Sequence, residues 1–104
     1  MSEVHVVAVI TTKPDKRGDV LEAFHANIPN VHAEDGCIEY GPTIDTEGVG
    51  GIQTEIGPNA FNVIEKWKSL DHLKAHAAAP HMAEYAAKVK DMLESRVIHV
   101  LSPA

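Results

Sequence analysis

The chain has 104 residues, enough for one domain with a thin single core. It carries 9 Lys and Arg against 15 Asp and Glu, a net charge of -6, with no block of basic residues. That balance argues against nucleic acid or an anionic membrane as a partner and favours a small neutral or weakly polar molecule. The 44% apolar content is that of a globular chain, not a disordered one.

Cys37 is the single cysteine, so no internal disulfide can form and a reducing compartment is permitted. Met1-Ser2-Glu3-Val4-His5 lacks a basic stretch followed by an apolar one, and no apolar run approaches a membrane span. A cytoplasmic protein is expected.

Residues 3–11 are rich in β-branched side chains and read as a strand. Val4, Val6, Ala8 and Ile10 share one face, and Val7 and Val9 the other. Thr12-Lys13-Pro14-Asp15 is a turn signal. A helix follows over about 16–34, with Val20, Leu21, Phe24, Ile28 and Val31 on one stripe. Pro29 removes a hydrogen bond there, which predicts a kink or break near Ala26. Asp35-Gly36 is read as the helix stop.

Residues 37–45 read as a second strand, with Gly41-Pro42 suited to an edge or a bulge. Residues 46–59 form a long glycine-bearing loop, in which the alternation of Ile52, Thr54 and Ile56 could hold a short strand. Residues 60–68 are a third strand, with Phe61, Val63, Glu65 and Trp67 on one face. Ser69 is a good N-cap for a short helix to about Ala77. Pro80 suits the first position of another, whose buried stripe is Met82, Tyr85, Ala86, Val89, Met92 and Leu93. Residues 96–101 are the last strand, stopped by Ser102-Pro103.

This order predicts an α+β fold with a ferredoxin-like split β-α-β sheet and helices on one face, spanning 1–104 as a single domain. The first and last strands are apolar on both faces, so a monomer would leave one sheet face wet. Two sheets packed face to face would cover it, giving a homodimer in the form of an α+β barrel. Val7 and Val100 are taken to mark the contact face.

Four segments carry a resemblance across nearly the whole chain: Glu34-Asp35-Gly36-Cys37-Ile38-Glu39-Tyr40, Ile64-Glu65-Lys66-Trp67-Lys68-Ser69, His72-Leu73-Lys74-Ala75-His76 and Pro80-His81-Met82. In order and spacing they resemble the antibiotic biosynthesis monooxygenase family of dimeric α+β barrels, and within it the small bacterial quinol monooxygenases. The resemblance implies a homodimer with a pocket between sheet and helices in each subunit but does not fix the reaction; the likeness to the quinol-oxidising members implies a small aromatic substrate, O2, and no cofactor or metal. The family also holds haem-degrading members with an Asn-Trp-His set whose Asn lies on the first strand, which has none here. Some polyketide oxygenases in it carry an Asn four residues before the strand tryptophan, a position that is Val63 here.

Trp67 reads either as a core residue or as a flat wall for a ring-shaped ligand, with Phe61 and Met82 as further walls. Glu65, a carboxylate on an apolar face, needs a hydrogen-bond partner or a raised pKa. Of three clustered histidines, His72 is expected to be solvent-exposed. His76 and His81 are the candidate bases for a phenolic proton, His81 because a helix N-terminus favours the neutral ring. Tyr40 could reach the pocket with its hydroxyl. His72, His76 and Glu65 could in principle hold a metal, but this spacing is common on helices. Cys37 follows a helix end and is read as a packed residue.

The expected activity is cofactor-free oxidation of a hydroquinone or related electron-rich phenol by O2. The alternatives are an isomerase moving a proton next to a carbonyl and a non-catalytic dimer that binds small aromatics. Phosphorylated substrates would want Arg or Lys in the pocket, and Arg17 and Arg96 are the only arginines.

Overall fold

The computed structural model describes residues 2–104. Strand β1 (Val4–Thr12) alternates buried and half-buried along its whole length. Val4, Val6, Ala8, Ile10 and Thr12 point under the helices, and His5, Val7, Val9 and Thr11 point away. Helix α1 (Arg17–His32) buries Val20, Ala23, Phe24 and Val31. It runs unbroken through Pro29, so of the expected kink or break near Ala26 the break does not occur. Proline costs one bond to the carbonyl four residues back, and that carbonyl belongs to the exposed His25.

Strand β2 (Cys37–Thr43) pairs with β3 (Ala60–Trp67), and its register slips between Cys37 and Glu39. The sheet order is β2-β3-β1-β4, all neighbours antiparallel, so β2 is an edge, as Gly41-Pro42 requires. Residues 44–59 form no strand. The Asp45 carboxylate instead accepts the Ile56 and Gly57 N–H groups at 2.9 Å each, taking donors that a ladder would have used.

Helix α2 (Leu70–Ala77) starts at Ser69, whose hydroxyl accepts the His72 N–H. Helix α3 (Pro80–Val89) begins with proline at its first turn and gives way to a 3-10 turn, Lys90–Met92. Strand β4 (Leu93–Leu101) therefore starts three residues before the expected 96. The expected stripe on α3 ends at Val89, and Ala86 is exposed. This is the ferredoxin-like α+β fold. Among the described residues no helix is long and apolar enough to cross a membrane.

The register corrects one expectation. Val100 pairs with Val6 and Ile98 with Ala8, so both face the helices. Val7 pairs with His99 and Val9 with Val97, so these lie on the opposite, open face together with Ile64 and Leu101. Val7 and Val100 do not share a surface.

Candidate active site

Between the sheet and helices α2 and α3 lies a cavity of about 880 Å³. Val6, Ala8, Ile10, Val63, Ile98 and Val100 form much of its floor, and alanines of α2 and α3 much of its roof. Few polar side chains interrupt this lining, and three of them, Glu65, His76 and Tyr40, meet at one end.

The turn after α1 makes the site. Gly36, at a φ of +84°, carries the chain from α1 into β2. A Cβ there would run into the His72 ring, so glycine is needed for space as well as conformation. His72 bridges Ser69 Oγ at 2.7 Å and Asp35 Oδ2 at 3.3 Å, fastening the start of α2 to this turn. It is half-buried and structural, not the solvent-exposed residue expected from the sequence.

The same fastening sets Glu34 beside α2. Glu34 Oε2 lies 2.8 Å from His76 Nδ1, and the His76 side chain is 5% exposed. A carboxylate can only accept, so Nδ1 donates, and in the neutral ring Nε2 is the nitrogen left to take a proton. Nε2 has no hydrogen-bond partner within the described chain, and the ring lines the cavity. Trp67 packs on the other side of that ring, centroids 4.6 Å apart, and Tyr40 meets its edge at 5.4 Å.

Trp67 Nε1 donates to Glu65 Oε1 at 2.9 Å, a bond buried from solvent. Burial pushes the Glu65 carboxyl above its ordinary range, although the Trp67 N–H and nearby His76 pull the other way. Burial, with Glu65 close by, also raises the Tyr40 hydroxyl, so it stays a neutral phenol. Tyr85 is pushed up to about 12 by burial alone. Burial raises the Cys37 thiol too, with Glu34 and Glu65 adding to it, consistent with a packed side chain and not a nucleophile.

The expected site residues therefore divide. His76, Glu65, Tyr40 and Met82 line the cavity. Trp67 and Phe61 do not. Both are fully buried, Trp67 behind Glu65 and His76, Phe61 against Phe24. They support the wall without forming it.

His81 also lies outside the cavity. Its Nδ1 takes a hydrogen bond from Asn27 Nδ2 at 3.1 Å, while Asn27 Oδ1 accepts from Asn30. This places the His81 proton on Nε2, which is 3.1 Å from Glu34 Oε2. The alignment is too poor for a hydrogen bond, and this buried nitrogen has none. His81 is thus an electrostatic neighbour of Glu34.

Glu34 is the member of the site that sequence reasoning missed, and Asn27 is the residue it missed that turns His81 away. Glu34 sits 42 residues from His76 in a turn, where no periodicity marks it. Among the described residues no group of three His, Cys, Asp or Glu side chains is placed to hold a metal ion. His72 and His76 share a helix but turn to different carboxylates, Asp35 and Glu34.

An antiparallel four-stranded sheet with this strand order, under helices that leave a largely apolar cavity above it, defines a ferredoxin-like α+β protein. The family model for antibiotic biosynthesis monooxygenases matches residues 3–88, and the chain belongs to that family. It is 39% identical over 101 residues to the Escherichia coli protein named "Probable quinol monooxygenase YgiN", covering 94% of this chain and 95% of that one. The solved structure of Rv0793 from Mycobacterium tuberculosis superposes with a TM-score of 0.80 at 28% identity, over 99% of this chain and 96% of the other. PA3566 from Pseudomonas aeruginosa shares the fold, with a TM-score of 0.83 at 20% identity over 100% and 96% of the two chains.

Proposed function

We propose that this monooxygenase-family chain oxidises a hydroquinone or related electron-rich phenol with O2, without metal or organic cofactor, as a cytoplasmic homodimer. The observation that carries the reading is His76. Its Nδ1 is held by Glu34 while its Nε2 is left free at the wall of a largely apolar cavity. Membership of the family and the 39% identity to a protein named for quinol oxidation support it.

His76 Nε2 takes a phenolic proton, and the imidazolium that results is stabilised by the Glu34 carboxylate. The electron-rich anion then reduces O2. A carbon–oxygen bond forms on the ring, and the O–O bond of the resulting hydroperoxide breaks. One oxygen stays as the new hydroxyl of a hydroxyquinone. The other leaves as water, taking the proton back from His76. The substrate supplies every electron, so no external reductant is needed. At this end of the cavity Glu65, His76 and Tyr40 are all buried, which limits the water around the reactive anion. Glu65, its carboxyl raised toward the neutral form, and Tyr40 are the groups available to hold the second oxygen of the ring.

The homodimer is supported by the open sheet face, where Val97 and Leu101 stand half exposed beside Val7, Val9 and Ile64. Fully burying such a side chain stabilises by roughly 1.5–3 kcal/mol, and covering these half-buried ones by about half of that each, which favours a second copy against that face.

Oxygen uptake by the purified protein across a panel of hydroquinones tests the proposal. Uptake is expected from the oxygenase. Exchange of a carbon-bound proton without uptake would identify the isomerase, which would use the same His76. Neither signal, with retained binding, would leave a binding protein.

A further inference from the structure

The charged groups around the cavity are unlike those of the chain as a whole. Acids outnumber bases 15 to 9, yet three bases, Lys74, Lys90 and Arg96, line the cavity, and among the described residues Glu65 is the sole Asp or Glu that does. None of the three forms an ion pair among the described residues. Glu94, two residues from Arg96 along β4, does not pair with it.

The sheet register fixes where these cations sit relative to the chemistry. Glu65 is paired with Val6 on β1, and Arg96 with Ile10. Along the strand direction they are four residues apart, roughly 13 Å at about 3.3 Å per residue, and β1 lies between them. Lys90 lies in the turn leading into Leu93, which pairs with Thr12, so it belongs to the Arg96 end. Lys74, on the same helix as His76, belongs to the other end. The floor between is apolar: Val6, Ala8, Ile10 and Ile98.

We propose that the natural substrate is an elongated molecule whose phenolic ring lies at His76 and Glu65 and whose far end carries an anionic group, a carboxylate or phosphate, held by Arg96 and Lys90. The placement of the ring rests on the oxidation reading above; the anion subsite rests on the charge distribution and the register. A cavity of about 880 Å³ is large for one ring and suits a ligand with such a tail. The chain's net negative charge repels anions in general, so unpaired cations at one mouth select for an anion only there. Arg96, with its planar fork of donors, suits either anion.

The test uses the full chain and a series of dihydroxyphenyl alkanoic acids with their neutral methyl esters. Binding is read anaerobically from the fluorescence of Trp67, the single tryptophan, so that no turnover is needed. An acid long enough to reach Arg96 should bind about fivefold tighter than its ester at low salt, and the preference should fade at high salt. Arg96→Ala should abolish the preference by weakening the acid more than the ester, Arg96→Lys should restore part of it, and Lys90→Ala should weaken it. Replacing the carboxylate with a phosphate monoester distinguishes the two anions. Equal binding of acid and ester, binding of neither, or an acid preference that survives Arg96→Ala overturns the proposal. Acid-selective binding without oxygen uptake in air would remove the oxidation reading and keep the subsite.

Discussion

Glu34 Oε2 lies 2.8 Å from His76 Nδ1, and this contact decides which nitrogen of His76 is free to act. His81 approaches the same oxygen from α3 but lies outside the cavity. The two histidines thus have unequal expected roles. His76→Ala should slow hydroquinone oxidation by about a hundredfold to ten-thousandfold, the usual loss for a general base. Glu34→Gln keeps the shape but lets the His76 tautomer change, and should cost at least about tenfold. His81→Ala should cost less than either. Steady-state oxygen uptake, with circular dichroism to check folding, orders the three variants. A His81 variant slower than the His76 variant would move the base to α3.

Glu65 gives a pH signature. Its folded carboxyl is raised above the ordinary 4.5, with burial as the largest cause. The folded state therefore holds its proton to higher pH than the unfolded chain does. Stability linked to this group is fully present below 4.5, falls as pH rises through the folded value, and then levels off. Glu65→Gln can still accept the Trp67 N–H and has no charge to bury. The melting temperature of the Gln variant relative to the parent should rise between about pH 4 and neutrality. A difference that stays flat or shrinks over that range would show that Glu65 ionises without cost.

Gly36 is held in the left-handed region with the His72 ring against it. Gly36→Ala should destabilise by about 1–3 kcal/mol, seen as a fall of several degrees in melting temperature. Because this turn also sets Glu34, the folded variant should oxidise hydroquinone more slowly. An unchanged melting temperature would mean that the turn relaxes freely.

The open face of the sheet makes the dimer testable with two matched variants. Val7 lies on that face, and Val100 lines the cavity. Val7→Asp would bury an unpaired carboxylate in a face-to-face dimer at a cost of several kcal/mol, and should yield monomer or unfolded protein. Val100→Asp should stay dimeric and lose affinity for the aromatic ligand. Light scattering of both separates the cases. A monomeric parent, or dimerisation indifferent to Val7→Asp, would contradict the packing.

Alternation along β1 and β3, the Ser69 cap, Pro80 at a helix start and Gly41-Pro42 at an edge were all legible in the sequence. Each is a local signal, and the fold follows from them. Depth along a face was not legible. Phe61, Val63, Glu65 and Trp67 share one side of β3, yet Phe24 covers the first and His76 the last, so only Val63 and Glu65 reach the cavity. Nor could spacing reveal Glu34, whose role comes from a tertiary contact across a glycine turn. The sequence placed His81 at the first turn of α3 but could not show its ring turning to Asn27. The alternation of Ile52, Thr54 and Ile56 misled because Asp45 captures two backbone donors at the end of that segment. Val7 and Val100 were assigned to one face because the pairing of β4 with β1 is fixed by the sheet, not by either strand alone.

In the proposed reaction one atom of O2 enters the substrate ring. Turnover of a hydroquinone under heavy-isotope dioxygen, followed by mass spectrometry of the product and of the water formed, tests it directly. One heavy oxygen is expected in each hydroxyquinone molecule and one in water, with no added reductant, and both signals should build up about a hundredfold or more slower in His76→Ala. Product free of heavy oxygen, or full turnover by the His76 variant, would contradict it.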